Sequence, residues 1–93
     1  MICKWIVFKT RGDAAAEFAA ALSALSPAAF DEDGCLGYEA FDLGQGVFAV
    51  LESWCSEAAA EAHHQAPHTR EFKVALSRLN VVREDFSLHP LGH

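Results

Sequence analysis

The sequence predicts an α+β fold of order β-α-β-β-α-β, and four features carry that expectation. Strand-like runs stand near both ends of the chain, a hairpin signal lies in the middle, and two helix-forming segments separate them. The fourth feature is an excess of apolar residues: 52% of the 93 residues are hydrophobic and 22% are charged. That is more apolar surface than one small core hides, so a second copy is expected to cover an exposed sheet face.

The first run, Ile2 to Thr10 (ICKWIVFKT), is β-branched and aromatic and is punctuated by Arg11-Gly12, which makes it the first strand. Asp13 is the expected N-cap of an alanine-rich helix in which Phe18, Ala21, Leu22 and Leu25 form one apolar stripe. Pro27 is expected to end that helix near Ser26. After the polar connector Asp31-Glu32-Asp33-Gly34, CLGYEAF and VFAVLESWC read as strands joined across Leu43-Gly44-Gln45-Gly46. The glycines there supply the positive φ of a tight hairpin turn. If Gly44 and Gln45 form the loop, Cys35 lies opposite or diagonal to Trp54 and Cys55, which leaves a Cys35–Cys55 contact open.

Ser56 is positioned to cap a second helix with Glu57 in its first turn. Pro67 cannot sit in a helix interior, so the segment divides into Glu57 to about Gln65 and Pro67 to about Leu79. Phe72, Ala75, Leu76 and Leu79 give the second piece its core stripe. VVREDFSLHPL closes the pattern as a fourth strand, with Val82, Phe86 and Leu88 on one face beside Glu84. Right-handed crossovers of this order give a ferredoxin-like, split-βαβ architecture: a four-stranded antiparallel sheet with helices on one face. Residues 1–93 are expected to form a single domain without a linker. Trp5, Phe8, Tyr38, Phe41, Phe48 and Trp54 exceed what one sheet face needs, and a homodimer through the helix-free face follows.

The net charge is −6 and the seven Lys and Arg residues are spread along the chain. No basic stripe is available for phosphates, so a nucleic-acid partner is not expected. The apolar runs are too short for a membrane span and the first residues lack a signal layout, so no membrane partner and a cytoplasmic location are expected. Cys3, Cys35 and Cys55 lack CxxC spacing and are expected as reduced, largely buried thiols.

The run GCLGYEAF at 34–41, FAVLESW at 48–54 and SEAAAEAHHQAPHTREF at 56–72 together resemble the antibiotic biosynthesis monooxygenase (ABM) family. Gly34, Cys35 and Tyr38 match its Gly-Cys-x-x-Tyr strand. Glu52 and Trp54 match its Glu-x-Trp strand end, and His63, Pro67, His68 and Phe72 match its helix and Pro-His link. The resemblance implies a dimeric α+β barrel. It also implies a choice of activities, since some members oxidise quinols or aromatic polyketides with O2 using neither metal nor flavin, while others degrade haem or act as isomerases. The haem-degrading branch resembles this fold but pairs an Asn on the first strand with a His about one or two helix turns beyond the Pro-His link; here the first strand has no Asn and the segment Glu71 to Leu79 has no His.

His63 lies four residues after Ala59 and one after Ala62, on or beside a small-residue face turned toward the sheet. An imidazole there is placed to take a proton from a phenol or hydroquinone, or else to serve as a structural hydrogen-bonding group. Glu52 sits in an apolar strand and needs a partner, either His63, whose ring it would orient, or a cation such as Arg83, Arg70 or Lys4. His63 and Glu52 are the candidate catalytic pair, and Tyr38, Trp54, His68 and Phe72 are the candidate substrate-binding residues. Equally, His68 is placed to serve the amino terminus of its helix, and Tyr38 and Trp54 to serve the core. His64 points about 100° from His63 on an ideal helix and is expected to be exposed. No metal site is expected from His63, His64 and His68, because neighbouring helix residues do not face one another. GxGxxG, P-loop and GxSxG motifs are absent and no cofactor is expected.

The leading expectation is therefore a cofactor-independent monooxygenase acting on a small aromatic or quinol-like substrate. A non-catalytic dimeric small-molecule-binding or stress protein is the alternative. An isomerase is a third, and it requires a basic residue such as Arg70 or Arg83 beside the pocket.

Overall fold

The computed structural model describes residues 1–92. Its elements are β1 (Ile2–Lys9), a 3-10 turn (Gly12–Ala14), α1 (Ala15–Phe30), β2 (Cys35–Gly44), β3 (Val47–Trp54), α2 (Glu57–Gln65), α3 (Pro67–Arg78) and β4 (Val82–Ser87). The sheet order is β2-β3-β1-β4 and every pairing is antiparallel. β1 and β2 are thus parallel with β3 inserted between them, the split-βαβ topology expected from the element order.

Strand alternation sorts the side chains into two faces. Cross-strand pairs Ile6↔Val50, Phe8↔Phe48 and Tyr38↔Glu52 set the register of the covered face. Ile6, Phe8, Tyr38, Phe48, Val50 and Trp54 pack there with Phe18, Leu22, Leu25 and Ala29 of α1 and Phe72 of α3. At its centre Phe18 touches Phe8, Phe48 and Phe72 with ring centroids 5.2, 5.3 and 5.6 Å away. The opposite face carries Trp5, which pairs with Phe86 across β1 and β4 and lies 6.1 Å from Phe41. Phe41, Phe86 and Val82 are 38%, 47% and 58% exposed, so the helix-free side is apolar.

Four local expectations are corrected. Pro27 does not stop α1, which continues to Phe30. The proline is on the exposed side of the last turns, while Ala29 is fully buried and fastens the helix end to the core. Asp13 does not cap the helix; it lies inside the 3-10 turn, and the Ala14 N–H bonds to the Arg11 carbonyl, which moves the α-helical start to Ala15. The hairpin loop is Gln45-Gly46 rather than Gly44-Gln45, because a bulge between Asp42 and Gly44 shifts the register. Gln45 and Gly46 both take positive φ, the signature of a type I′ turn. A side chain at Gly46 would come within 2.9 Å of Thr10 Oγ1. Finally, β4 ends at Ser87, although the Leu88 N–H still reaches the Cys3 carbonyl at 2.9 Å; Pro90 then has no N–H with which to extend the ladder.

Ser56 caps α2 as expected, its Oγ accepting from the Ala59 N–H at 3.1 Å. The division at Pro67 holds too: Ala66 is extended (φ −65°, ψ 144°), and α3 restarts with the proline in its first turn. The three cysteines are free thiols, with Cys35 opposite Trp54 and Cys3 half-buried. Cys55 is exposed rather than buried, because it lies just beyond the end of β3.

Candidate active site

The break at Ala66 creates the site. On one continuous helix His63 and His68 would point apart, but the extended residue lets α3 turn back, and both imidazoles meet the connector between α1 and β2. His63 Nδ1 lies 2.7 Å from Glu32 Oε2, and His68 Nε2 lies 2.7 Å from the same oxygen. Side-chain exposure falls from 30% at His68 through 14% at Glu32 to 5% at His63, so the chain of groups runs inward. The Thr69 hydroxyl is 3.3 Å from His63 Nδ1.

Glu32 reaches this point because Gly34 allows the connector to lie against α2. Gly34 has φ +82°, and a Cβ there would fall 2.6 Å from Ala59 Cβ and 2.9 Å from Cys55 Sγ. Its carbonyl accepts the Cys55 N–H at 2.8 Å, tying the connector to the end of β3.

A carboxylate only accepts hydrogen bonds, so the proton on His63 is at Nδ1. In the neutral ring this leaves the lone pair on Nε2. That nitrogen has no protein hydrogen bond among the described residues, whereas every fully buried side-chain N or O has a partner. Nε2 is therefore accessible to water. The ring lies against Trp54, with centroids 4.7 Å apart and planes at 31°, and 5.7 Å from Tyr38.

His63 lines a cavity of about 20 Å³ together with Tyr38, Glu52, Phe72, Lys73 and Arg83. That is room for about one water molecule. Glu52 is buried and accepts the Trp54 indole N–H at 3.2 Å. Burial, with a second contribution from the Glu52 charge, pushes the Tyr38 phenol well above its ordinary range. Tyr38 is thus held as a hydrogen-bond donor. Arg83 grips Asp85 through Nε and Nη2 at 2.6 and 2.9 Å, and that hydrogen bonding holds its pKa above the ordinary value.

Of the six candidate residues, His63, Glu52, Tyr38 and Phe72 line this cavity. Trp54 stands behind the His63 ring, and His68 lines an outer groove of about 220 Å³ between α1 and α3. The expected His63–Glu52 pair is not formed. Glu32 occupies Nδ1 of His63, and Glu52 is turned to the Trp54 indole two residues along its own strand. Nor does Glu52 form an ion pair with Lys4, Arg70 or Arg83 among the described residues. His64 is half-buried rather than exposed, and desolvation, followed by the charge of Lys73, lowers its pKa. His63 and His68 lie on two separate helices rather than on one, and with Glu32 they bring three ligand atoms within 4.8 Å of one another. Glu32 carries no sequence signal of its own, being one of three acidic residues in a row.

A split-βαβ sheet that holds a carboxylate-bound imidazole over an internal cavity defines a small α+β protein built around one polar interior site. The profile of the antibiotic biosynthesis monooxygenase family matches residues 1–75, and the chain belongs to that family. Among solved structures it is similar to a Deinococcus radiodurans protein that carries the family's name, at 27% identity and TM-score 0.87, covering 100% of this chain and 95% of the other. A Mycobacterium tuberculosis protein matches at 25% identity and TM-score 0.84, covering 99% and 96%. A Nitrosomonas europaea protein, also named for the family, shares the fold at 15% identity and TM-score 0.89, covering 99% and 100%. No curated protein is similar enough to match. No helix among the described residues is long and apolar enough to cross a membrane.

Proposed function

We propose that this protein is a cofactor-independent monooxygenase acting on a small aromatic or quinol-like molecule, with His63 as the base. The observation that supports it is the state of one side chain: a buried imidazole that lines a cavity, whose Nδ1 is tied to Glu32 and whose Nε2 is left without a protein partner. A phenolic O–H placed at Nε2 gives up its proton, and the phenolate is electron-rich enough to react with O2. For a phenol with hydrogen on the para carbon, one oxygen atom enters the ring and the other leaves as water with two hydrogens. The product is a quinone, and O2 supplies all the oxidising equivalents.

Glu32 stabilises the imidazolium formed, the orienting role first assigned to Glu52. Glu52 and Tyr38 receive the substrate's other polar groups, while Phe72 and Trp54 supply the apolar wall. A cavity of about 20 Å³ has to widen for an aromatic ring. The half-buried or exposed members, His64, Lys73 and Arg83, are the ones free to move. The working unit is one domain, residues 1–93, paired with a second copy through the helix-free face around Trp5, Phe41 and Phe86. A cytoplasmic location belongs to the same proposal.

Oxygen uptake with a panel of hydroquinones and phenols tests the reading. Uptake is expected with at least one of them, falling about a hundredfold or more in His63→Ala; unchanged uptake in that variant removes the mechanism. A second reading, an isomerase, is favoured by Arg83 and Lys73 at the cavity, and turnover of a carbonyl or phosphorylated compound without O2 would select it.

A further inference from the structure

Glu32, His63 and His68 come from three separate places in the chain: the connector before β2, the last turn of α2 and the first turn of α3. Their ligand atoms nevertheless converge within 4.8 Å. We propose that these residues form a binding site for a divalent transition-metal ion of the zinc class, held by His63 Nδ1, His68 Nε2 and a Glu32 carboxylate oxygen.

Two imidazole nitrogens and one carboxylate oxygen suit zinc and its neighbours, and three protein ligands leave a fourth position for water. Bonds of about 2.0–2.2 Å place tetrahedral donors roughly 3.3 Å apart. The ion therefore enters by parting Glu32 from each imidazole, now at 2.7 Å, by about half an ångström, and by drawing the two nitrogens together. Access is from the His68 side, 30% exposed, while His63 at 5% is the fixed inner ligand. Thr69 Oγ1, 3.3 Å from Nδ1, stands behind it. Magnesium and calcium, which prefer oxygen ligands, are poor occupants.

The ion and the hydrogen-bonding proton compete for His63 Nδ1. Metal on Nδ1 requires the ring proton to move to Nε2, the nitrogen without a protein partner among the described residues. Loaded protein is therefore unable to accept a substrate proton there; this consequence rests on the proposed reaction, whereas binding does not.

Titration of the purified protein with Co2+ and then Zn2+ is the test. It is run on wild type and on a variant with Cys3, Cys35 and Cys55 changed to Ser, which excludes thiol ligation. Equimolar binding with the visible absorption of a four- or five-coordinate Co2+ ion, displaced by Zn2+, is expected in both. Glu32→Gln and His68→Ala, each confirmed as folded by circular dichroism, should weaken Zn2+ binding at least about tenfold. The absence of saturable equimolar binding at micromolar Zn2+, or equal affinity in wild type and both variants, overturns the site. Oxygen uptake that persists in Zn2+-saturated protein overturns the competition at His63 while leaving the binding result intact.

Discussion

The two faces of one sheet are made from alternate residues of the same strands, yet they do different work. On the helix-covered face the polar groups are bound in pairs: Glu52 to the Trp54 indole, and His63 to Glu32. On the other face Trp5 meets Phe41 on one side and pairs with Phe86 on the other, without helix cover. A one-residue step along β1, from Trp5 to Ile6, separates the proposed assembly surface from the proposed reaction cavity. In a 93-residue chain too small for two cores, that division is the economical way to place both.

The comparison is broken most severely from the covered side. Phe18→Ala removes a fully buried ring that touches Phe8, Phe48 and Phe72. It should cost about 3–5 kcal/mol in denaturant unfolding. A loss below 1 kcal/mol would mean that this cluster is not the core. On the uncovered side Phe86→Glu should leave unfolding of the dissociated monomer, followed at high dilution, nearly unchanged. It should weaken self-association at least about thirtyfold, as the loss of an interface hot spot does. Sedimentation equilibrium reads this directly, and a variant that dimerises like wild type would show that the helix-free face is not the interface.

Smaller substitutions sharpen the contrast. Gly34→Ala asks a residue with a Cβ to hold φ +82° against Ala59 and Cys55, at an expected cost of about 1–2 kcal/mol. Because Gly34 seats the connector, the same variant should perturb the His63 and His68 imidazole NMR signals; unperturbed signals would detach Glu32 placement from Gly34. Least affected is Asp85→Asn. Asp85 is held below its ordinary pKa, first by its hydrogen bond to Arg83. A depressed carboxylate stabilises the fold above its unfolded value of 3.8, and that stabilisation is lost as pH falls through the lower folded value. The pair is partly exposed, so the variant should lose no more than about 0.5 kcal/mol at neutral pH. It should also show less stability loss than wild type when thermal unfolding is followed below pH 3.8.

The element order, the division at Pro67, the Ser56 cap and the inward position of His63 were legible because each depends on residues close together in sequence. The Pro27 and Asp13 expectations failed where tertiary packing decided. Buried Ala29 carries α1 past its proline, and a turn beginning at Arg11 displaces the cap. His63's partner was illegible for a different reason. Glu52 looked like the answer because it is a charge in an apolar strand, but the indole two residues away satisfies it. Glu32, the carboxylate actually used, is 31 residues from His63 in a connector whose three acids look alike. Only the close approach of Gly34 to α2 selects among them.

The most direct measurement is long-range 15N–1H correlation of the His63 imidazole in wild type and in Glu32→Gln. With Glu32 accepting at 2.7 Å, the neutral ring should carry its proton on Nδ1 and a lone pair on Nε2, and removing the carboxylate charge should shift population away from that tautomer. A proton found on Nε2 in the wild type, or a tautomer indifferent to the Glu32 substitution, would contradict the placement of the base.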